Sequence, residues 1–132
     1  MRAPLATYRI QFHSDFTFDA AHGIIPYLKD LGISHIYASP ILKAKKGSMH
    51  GYDVVDPTRI NPELGGEENF NVLIEKVKSF NMGWIQDIVP NHMAFDSENK
   101  LLMDVFEKGA ASQFFNYFDI NWDHPYSNLK GK

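Results

Sequence analysis

The chain has 132 residues, a length that suits one small domain, and 44% of them are hydrophobic, so a packed core is feasible. There is no cysteine, which excludes disulfide scaffolds, thiolate zinc sites and cysteine nucleophiles. The net charge is −3, with no basic stripe beyond "KAKKG", so no nucleic-acid partner is expected. The stretch "MRAPLATYRI" lacks a long apolar core with a small-residue cleavage site, and no run of about 20 apolar residues occurs. The expectation is a soluble, cytoplasmic protein with no membrane partner. Aromatic residues reach 14%. They can fill a core, or they can line a sugar site by stacking on pyranose faces.

Residues 7–12, "TYRIQF", read as a strand of β-branched and aromatic residues in near alternation. "HSDFTFD" reads as a loop, with Asp15 or Thr17 placed to cap a helix that begins near Asp19. Ala21, Ile24, Ile25, Leu28 and Leu31 trace one helical face. Pro26 interrupts that pattern and predicts a kink, or a late start near Gly23; Gly32 is the stop. A second strand spans 33–39 and ends at Pro40.

Residues 40–66 then read as a long irregular segment, and a loop of that length in a compact domain is usually functional or disordered. Its His, Tyr and Asp content favours function. The pattern in 66–80 predicts a helix with Phe70, Leu73, Ile74 and Val77 on its apolar stripe. A third strand spans 82–89, and a helix follows within 96–110, stopped at Gly109. The remainder is aromatic-rich and irregular. Strands alternating with helices predict an α/β fold with parallel strands, and sites in such sheets form at the C-terminal strand ends. Those ends carry Gln11 and His13, Ser39 and Pro40, and Asp87 with Asn91 and His92.

Two stretches carry candidate chemistry. In "DIVPNH" (87–92), Asp87 and Val89 point the same way if the strand is regular, with Asn91 and His92 just beyond. This is either a ligand-touching polar cluster, or a turn-capping aspartate beside a solvated histidine. In "SMHGYDVVDP" (48–57), Tyr52 lies between His50 and Asp53 in a glycine-containing loop. It is either a sugar platform or a surface tyrosine packed on a neighbour. His50, Asp53, Asp56 and His92 can also be grouped as metal ligands, but their spacing matches no standard pattern. No G-x-S-x-G, P-loop or G-x-G-x-x-G motif occurs, which argues against serine hydrolases, P-loop enzymes and dinucleotide-binding proteins.

"DIVPNH" resembles the first signature of the α-amylase family of glycoside hydrolases, D-x-x-x-N-H at the end of the third barrel strand. "HGYDVVDP" (50–57) resembles the loop after the second strand of that family. Together, "ATYRIQF", "LGISHIYASPI", "GSMHGYDVVDPTRINPELGGEENF" and "DIVPNHMAF" are similar to one branch of the family. That branch comprises the glucosylmutases that make trehalose-ended maltodextrins. The similarity runs from about Ala6 to the last residue.

The resemblance implies part of a TIM (β/α)8 barrel: about three βα units over residues 1–92, and the start of an inserted second domain over 93–132. It implies a retaining mechanism on a maltooligosaccharide substrate. Tyr52 is expected to stack on the sugar, His50 to support the loop, His92 to hydrogen-bond the sugar, and Asp87 to orient the site through a charged partner. Asp53 and Asn91 are supporting residues. Asn91 matches a calcium-ligand position in many amylases, but this branch is not generally calcium-dependent, so neither metal nor cofactor is expected.

The nucleophilic Asp and the acid/base Glu are expected beyond Lys132, leaving no catalytic residue in this chain. The expectation is an N-terminal fragment that is inactive alone, and that self-associates through open sheet edges. The alternatives are another enzyme of the family (glucosidase, sucrose phosphorylase or trehalohydrolase type), or a non-catalytic sugar-binding or assembly module.

Overall fold

The computed structural model describes residues 3–130. The elements in chain order are β1 (Thr7–Ile10), α1 (Phe18–Asp30), β2 (His35–Ala38), β3 (Leu42–Ala44), β4 (Val54–Ile60), α2 (Gly66–Ser79), β5 (Gly83–Gln86) and α3 (Lys100–Lys108). They fall into two compact units that divide between Ala94 and Phe95.

In the first unit, β1, β2 and β5 form a parallel sheet in the order β1-β2-β5. Its register places Arg9, Tyr37 and Ile85 side by side, with Ile10, Ala38 and Gln86 in the next row. Side chains alternate along a strand. One face therefore carries Ile10, Ile36, Ala38 and Trp84, which join the core with α1 and α2. The opposite face carries Thr7, Arg9, His35, Tyr37 and Ile85.

Phe18 of α1 is fully buried. Its ring centroid lies 5.1 Å from that of Phe12 and 5.4 Å from that of Phe70 on α2, while Trp84 edges onto Phe70 at 5.6 Å. Phe12 and Phe18, both fully buried, each contribute about 1.5–3 kcal/mol, and the partly buried Phe70 and Trp84 less.

Helix α1 begins at Phe18, after an extended Thr17, and continues through Pro26 with no late start at Gly23. Phe18 and Ala21 are buried before the proline, Ile25 and Leu28 around and after it. Packing on both sides outweighs the one hydrogen bond that proline cannot donate. Leu31, assigned to the apolar face by periodicity, is exposed. Both crossover helices end in the same way. Gly32 (φ +88°) donates to Lys29 O and Ile33 to Leu28 O; Asn81 (φ +54°) donates to Lys78 O and Met82 to Val77 O. These are Schellman closures, and each turns the chain directly into the next strand.

The segment 40–66 is ordered rather than irregular. Strands β3 and β4 pair antiparallel, and Asn61 caps a 3-10 turn over Pro62–Leu64. The pairing slips twice: Leu42 faces Ile60, Lys43 faces Asp56 and Ala44 faces Val54. Pro57, Thr58 and Arg59 bulge outward and are exposed. Asp56 closes that bulge by accepting from Thr58 N (3.0 Å), Thr58 Oγ1 (2.6 Å) and Arg59 Nε (3.1 Å). The Thr58 hydroxyl bond, helped by the Thr58 amide and the Arg59 charge, holds the Asp56 carboxyl below its ordinary range against the effect of burial.

In the second unit, α3 starts at Lys100, later than the sequence pattern predicts. Buried Asn99 is its cap and accepts from Leu102 N at 3.2 Å. Asp96 forms a turn ahead of it, accepting from Glu98 N at 2.9 Å. Gly109 ends the helix as expected. Phe115 and Trp122 then stack at 5.4 Å. Among the described residues, no helix is long and apolar enough to cross a membrane.

Ser39 ties the three parallel strand ends together. Its N–H donates to Ile10 O (2.9 Å), its hydroxyl accepts from Phe12 N (2.9 Å), and its carbonyl accepts from Gln86 Nε2 (3.0 Å). Ser39→Ala leaves the Phe12 N–H buried without that acceptor, so an expected loss of about 1–3 kcal/mol is to be read from urea unfolding.

Candidate functional site

The C-terminal ends of β1, β2 and β5 face the loop 45–53 that joins β3 to β4. The loop is set down close to the sheet at Gly51. Gly51 is buried with φ +76°, and a Cβ there would lie 2.5 Å from the backbone oxygen of Pro40. Only glycine permits both that conformation and that approach. The loop's own bonds set its curvature. Ser48 bonds the Asp53 carboxylate, the Gly51 amide donates to Ser48 Oγ (3.1 Å), and Lys45 N donates to Asp53 O (2.9 Å). Glu63, just after the hairpin, accepts from Gly47 N at 3.0 and 3.2 Å.

Tyr52 is directed by these constraints toward the strand ends. Its hydroxyl donates to Asp87 Oδ2 at 2.5 Å, and Tyr37 on β2 donates to the same oxygen at 3.3 Å. Arg9 on β1 donates to the Tyr52 oxygen at 3.1 Å and lies 5.6 Å from the Tyr37 ring centroid. Strand β5 ends at Gln86, so Asp87 is the first residue past it, although its N–H still continues the ladder to Ala38 O at 3.0 Å. The aspartate is thus met by two phenols, and the nearby guanidinium reaches it through one of them. Proton donation to Asp87 is the main reason the Tyr52 phenol is held above its ordinary range; burial adds to this and Arg9 opposes it.

His50 lies on the same loop. Its ring stacks on Tyr52 (centroids 6.0 Å apart, 30° between planes), and its Nδ1 accepts the Tyr52 N–H at 3.0 Å. The same Nδ1 lies 3.7 Å from Asp53, too far for a hydrogen bond. Asn91 and His92 are exposed and bond each other, Asn91 Oδ1 to His92 Nδ1 at 3.1 Å. Among the described residues, neither reaches Tyr52 or Asp87 by a hydrogen bond. Nor, among the described residues, do three or more His, Asp or Glu side chains gather where they could hold a metal ion.

The structure therefore brings together Tyr52, His50 and Asp87, with Asp53 underneath. Arg9, Gln11 and Tyr37 belong to the same cluster; sequence placed Gln11 at a strand end without giving it a role, and passed over Arg9 and Tyr37. Arg9 and Gln11 alternate with apolar residues in "TYRIQF", which is a visible signal that one face of β1 is polar. Nothing in the sequence shows that Tyr37 and Arg9 are cross-strand partners.

The profile of the alpha-amylase catalytic domain matches residues 21–130. The chain belongs to the α-amylase family. Its three parallel strands and their crossover helices are accordingly a partial α/β piece of that family's (β/α)8 barrel, in which the face away from the helices is the barrel interior. A putative maltooligosyl trehalose synthase of Mycobacterium tuberculosis is 44% identical over 126 residues, 90% of this chain and 16% of the relative. A crystal structure of a maltooligosyl trehalose synthase is 51% identical with a TM-score of 0.87, over 89% of this chain and 16% of the other. The maltooligosyltrehalose synthase from Arthrobacter ramosus gives 42% and 0.87, over 90% and 16%. The chain spans about 16% of the length of these α-amylase-family relatives.

The Tyr52–Asp87 bond has a pH signature. A phenol whose folded-state value is raised stabilises the fold fully below the ordinary tyrosine range. That contribution is lost as pH rises through the raised value. Tyr52→Phe is expected to cost about 1 kcal/mol near pH 7, a modest figure because the pair is partly solvated. The gap from wild type should close as pH rises beyond about 10, read as urea midpoints across an alkaline series.

Proposed function

We propose that this chain supplies one wall of the sugar site of a maltooligosyl trehalose synthase. That enzyme converts the reducing-end α-1,4 bond of a maltodextrin into an α,α-1,1 bond by a retaining glucosyl transfer. The observation that carries the reading is identity of 44–51% to synthases of that name over about nine-tenths of the chain. The site geometry supports it. Tyr52 presents an aromatic ring at the strand ends while its hydroxyl is occupied by Asp87 and Arg9, so the ring is what remains to stack on a pyranose. In this reading His50 braces the platform, Asp53 holds the loop through Ser48, and His92, kept in place by Asn91, hydrogen-bonds the sugar from the rim.

The nucleophilic Asp and the acid/base Glu come from outside these 132 residues in this proposal. Residues 1–92 are barrel and 93–132 begin an inserted domain, a boundary supported by the division of compact units at Ala94. No metal or cofactor takes part, and the protein works in the cytoplasm. Retaining transfer needs two carboxyl groups about 5–5.5 Å apart across one bond, and positioning without them gives little. Incubation of the 132-residue chain with maltopentaose should therefore yield no loss of reducing ends above blank. Tyr52→Ala should weaken maltopentaose binding about tenfold by calorimetry. Conversion by the chain alone would overturn the placement of the carboxyl pair, and unchanged binding would overturn the platform.

The chain by itself also self-associates in this proposal. The sheet order leaves β1 and β5 as edges with unpaired backbone groups, and parallel sheets are ordinarily covered on both faces. Sedimentation should give a mass above that of the monomer; a stable monomer across concentrations would overturn this.

A further inference from the structure

Arg9 and Gln11 are two residues apart on β1 and just past it, and so lie on the same face of the sheet. That is the face away from the helices. Their side chains engage each other and then the loop 45–53. Arg9 Nη1 donates to Gln11 Oε1 at 2.8 Å. The Gln11 amide nitrogen donates to the carbonyl oxygens of His50 (3.0 Å) and Met49 (3.4 Å). Arg9 Nη2 donates to the Tyr52 hydroxyl at 3.1 Å. Two neighbouring side chains at the end of β1 thus hold Met49, His50 and Tyr52 of a loop some forty residues away in sequence.

The donor and acceptor roles are chemically forced. A guanidinium only donates and backbone carbonyls only accept. The glutamine must therefore show its oxygen to Arg9 and its NH2 to the loop, and the reverse orientation would put like groups against each other at both ends. The Tyr52 hydroxyl accepts from Arg9 and donates to Asp87, so its bonding also has one direction. Asp87 in turn accepts from Tyr37, whose ring lies beside the Arg9 guanidinium. The chain of bonds leaves β1, crosses the loop and returns to β2 and β5.

We propose that Arg9 and Gln11 are positioning residues: a polar latch on β1 that holds the loop 45–53, and with it the Tyr52 ring, in the geometry that receives a maltodextrin. The inference rests on the reading of Tyr52 as the sugar platform. Neither latch residue need touch the sugar. Their effect is to remove loop freedom before binding, so that ordering the platform does not reduce affinity.

Gln11→Glu is the sharp variant. It is isosteric and keeps the acceptor for Arg9, but it sets a carboxylate oxygen against the carbonyls of Met49 and His50. A residue that merely fills space tolerates that change; the latch does not. Arg9→Met removes both donors while keeping much of the packing, and Arg9→Lys restores the charge but not the two-pronged contact. Thermal melts by circular dichroism establish that each variant folds.

The measurements are amide exchange at Gly51 and Tyr52, the Tyr52 phenol titration by NMR assigned against Tyr52→Phe, and maltopentaose affinity. Gln11→Glu and Arg9→Met are expected to speed exchange at both amides and to weaken maltopentaose binding about fivefold, with partial recovery in Arg9→Lys. Arg9→Met is further expected to move the Tyr52 titration to higher pH, because the guanidinium favours the phenolate. Unchanged exchange in Gln11→Glu together with an unchanged Tyr52 titration in Arg9→Met would overturn the latch. If exchange rises but neither these variants nor Tyr52→Ala alters sugar affinity, the latch stands and the platform reading is overturned.

Discussion

The geometry of the first unit depends on how the ends of three parallel strands are held at one level, and Ser39 does this from the middle strand. Its amide continues the β1–β2 ladder, its hydroxyl replaces the next rung by accepting from Phe12, and its carbonyl receives the Gln86 amide from β5. A fully buried serine is tolerated because its bonds are made, and among the described residues no buried side-chain polar atom lacks a partner. With the three ends level, the residues just beyond them, Gln11, Ser39 and Asp87, form the next row, and Pro40 follows one residue further along. Pro40 then gives Gly51 its seat, and Asp87 gives Tyr52 its acceptor.

The cluster above those ends joins one carboxylate, two phenols and one guanidinium. Asp87 accepts from Tyr37 and Tyr52, and Arg9 compensates the charge from one bond further out. The arrangement fixes tyrosine hydroxyls that would otherwise be free to rotate. It leaves ring surface, rather than hydroxyl, as the exposed chemistry of Tyr52. The hairpin loop reaches this cluster with its own interior closed by Ser48 and Asp53.

Much of the barrel portion is legible from local pattern. The apolar stripe of α2 and the stop signal Gly32 each depend on neighbours in sequence, and each appears where periodicity and turn chemistry place it, as does the stop Gly109 in the second unit. The hairpin was not legible. "DPTRI" (56–60) is a turn signal, and it lies inside β4 only because Pro57, Thr58 and Arg59 bulge out while the flanking residues pair. The helix start was legible to within a residue, with Thr17 as the cap and Phe18 first, whereas its unbroken run through Pro26 was not, because the local cost of the proline is outweighed by core contacts that sequence spacing does not show. Of the site residues, Tyr52, His50 and Asp87 were legible through a family signature, whereas Arg9, Gln11 and Tyr37 lie in stretches that share in the resemblance but were given no role by it, and their contacts become visible only through strand register.

By itself, the sequence determined the α/β class, the order of parallel strands and crossover helices, and membership of the α-amylase family. It could do so because apolar periodicity, glycine stops and the D-x-x-x-N-H spacing are properties of contiguous stretches. Only the tertiary structure decided which polar side chains meet. Arg9 and Tyr52 are 43 positions apart, and Tyr52 and Asp87 are 35 apart. Their contact follows from cross-strand register and from the close seat of Gly51 on Pro40, and those are set by packing between elements rather than by any element alone.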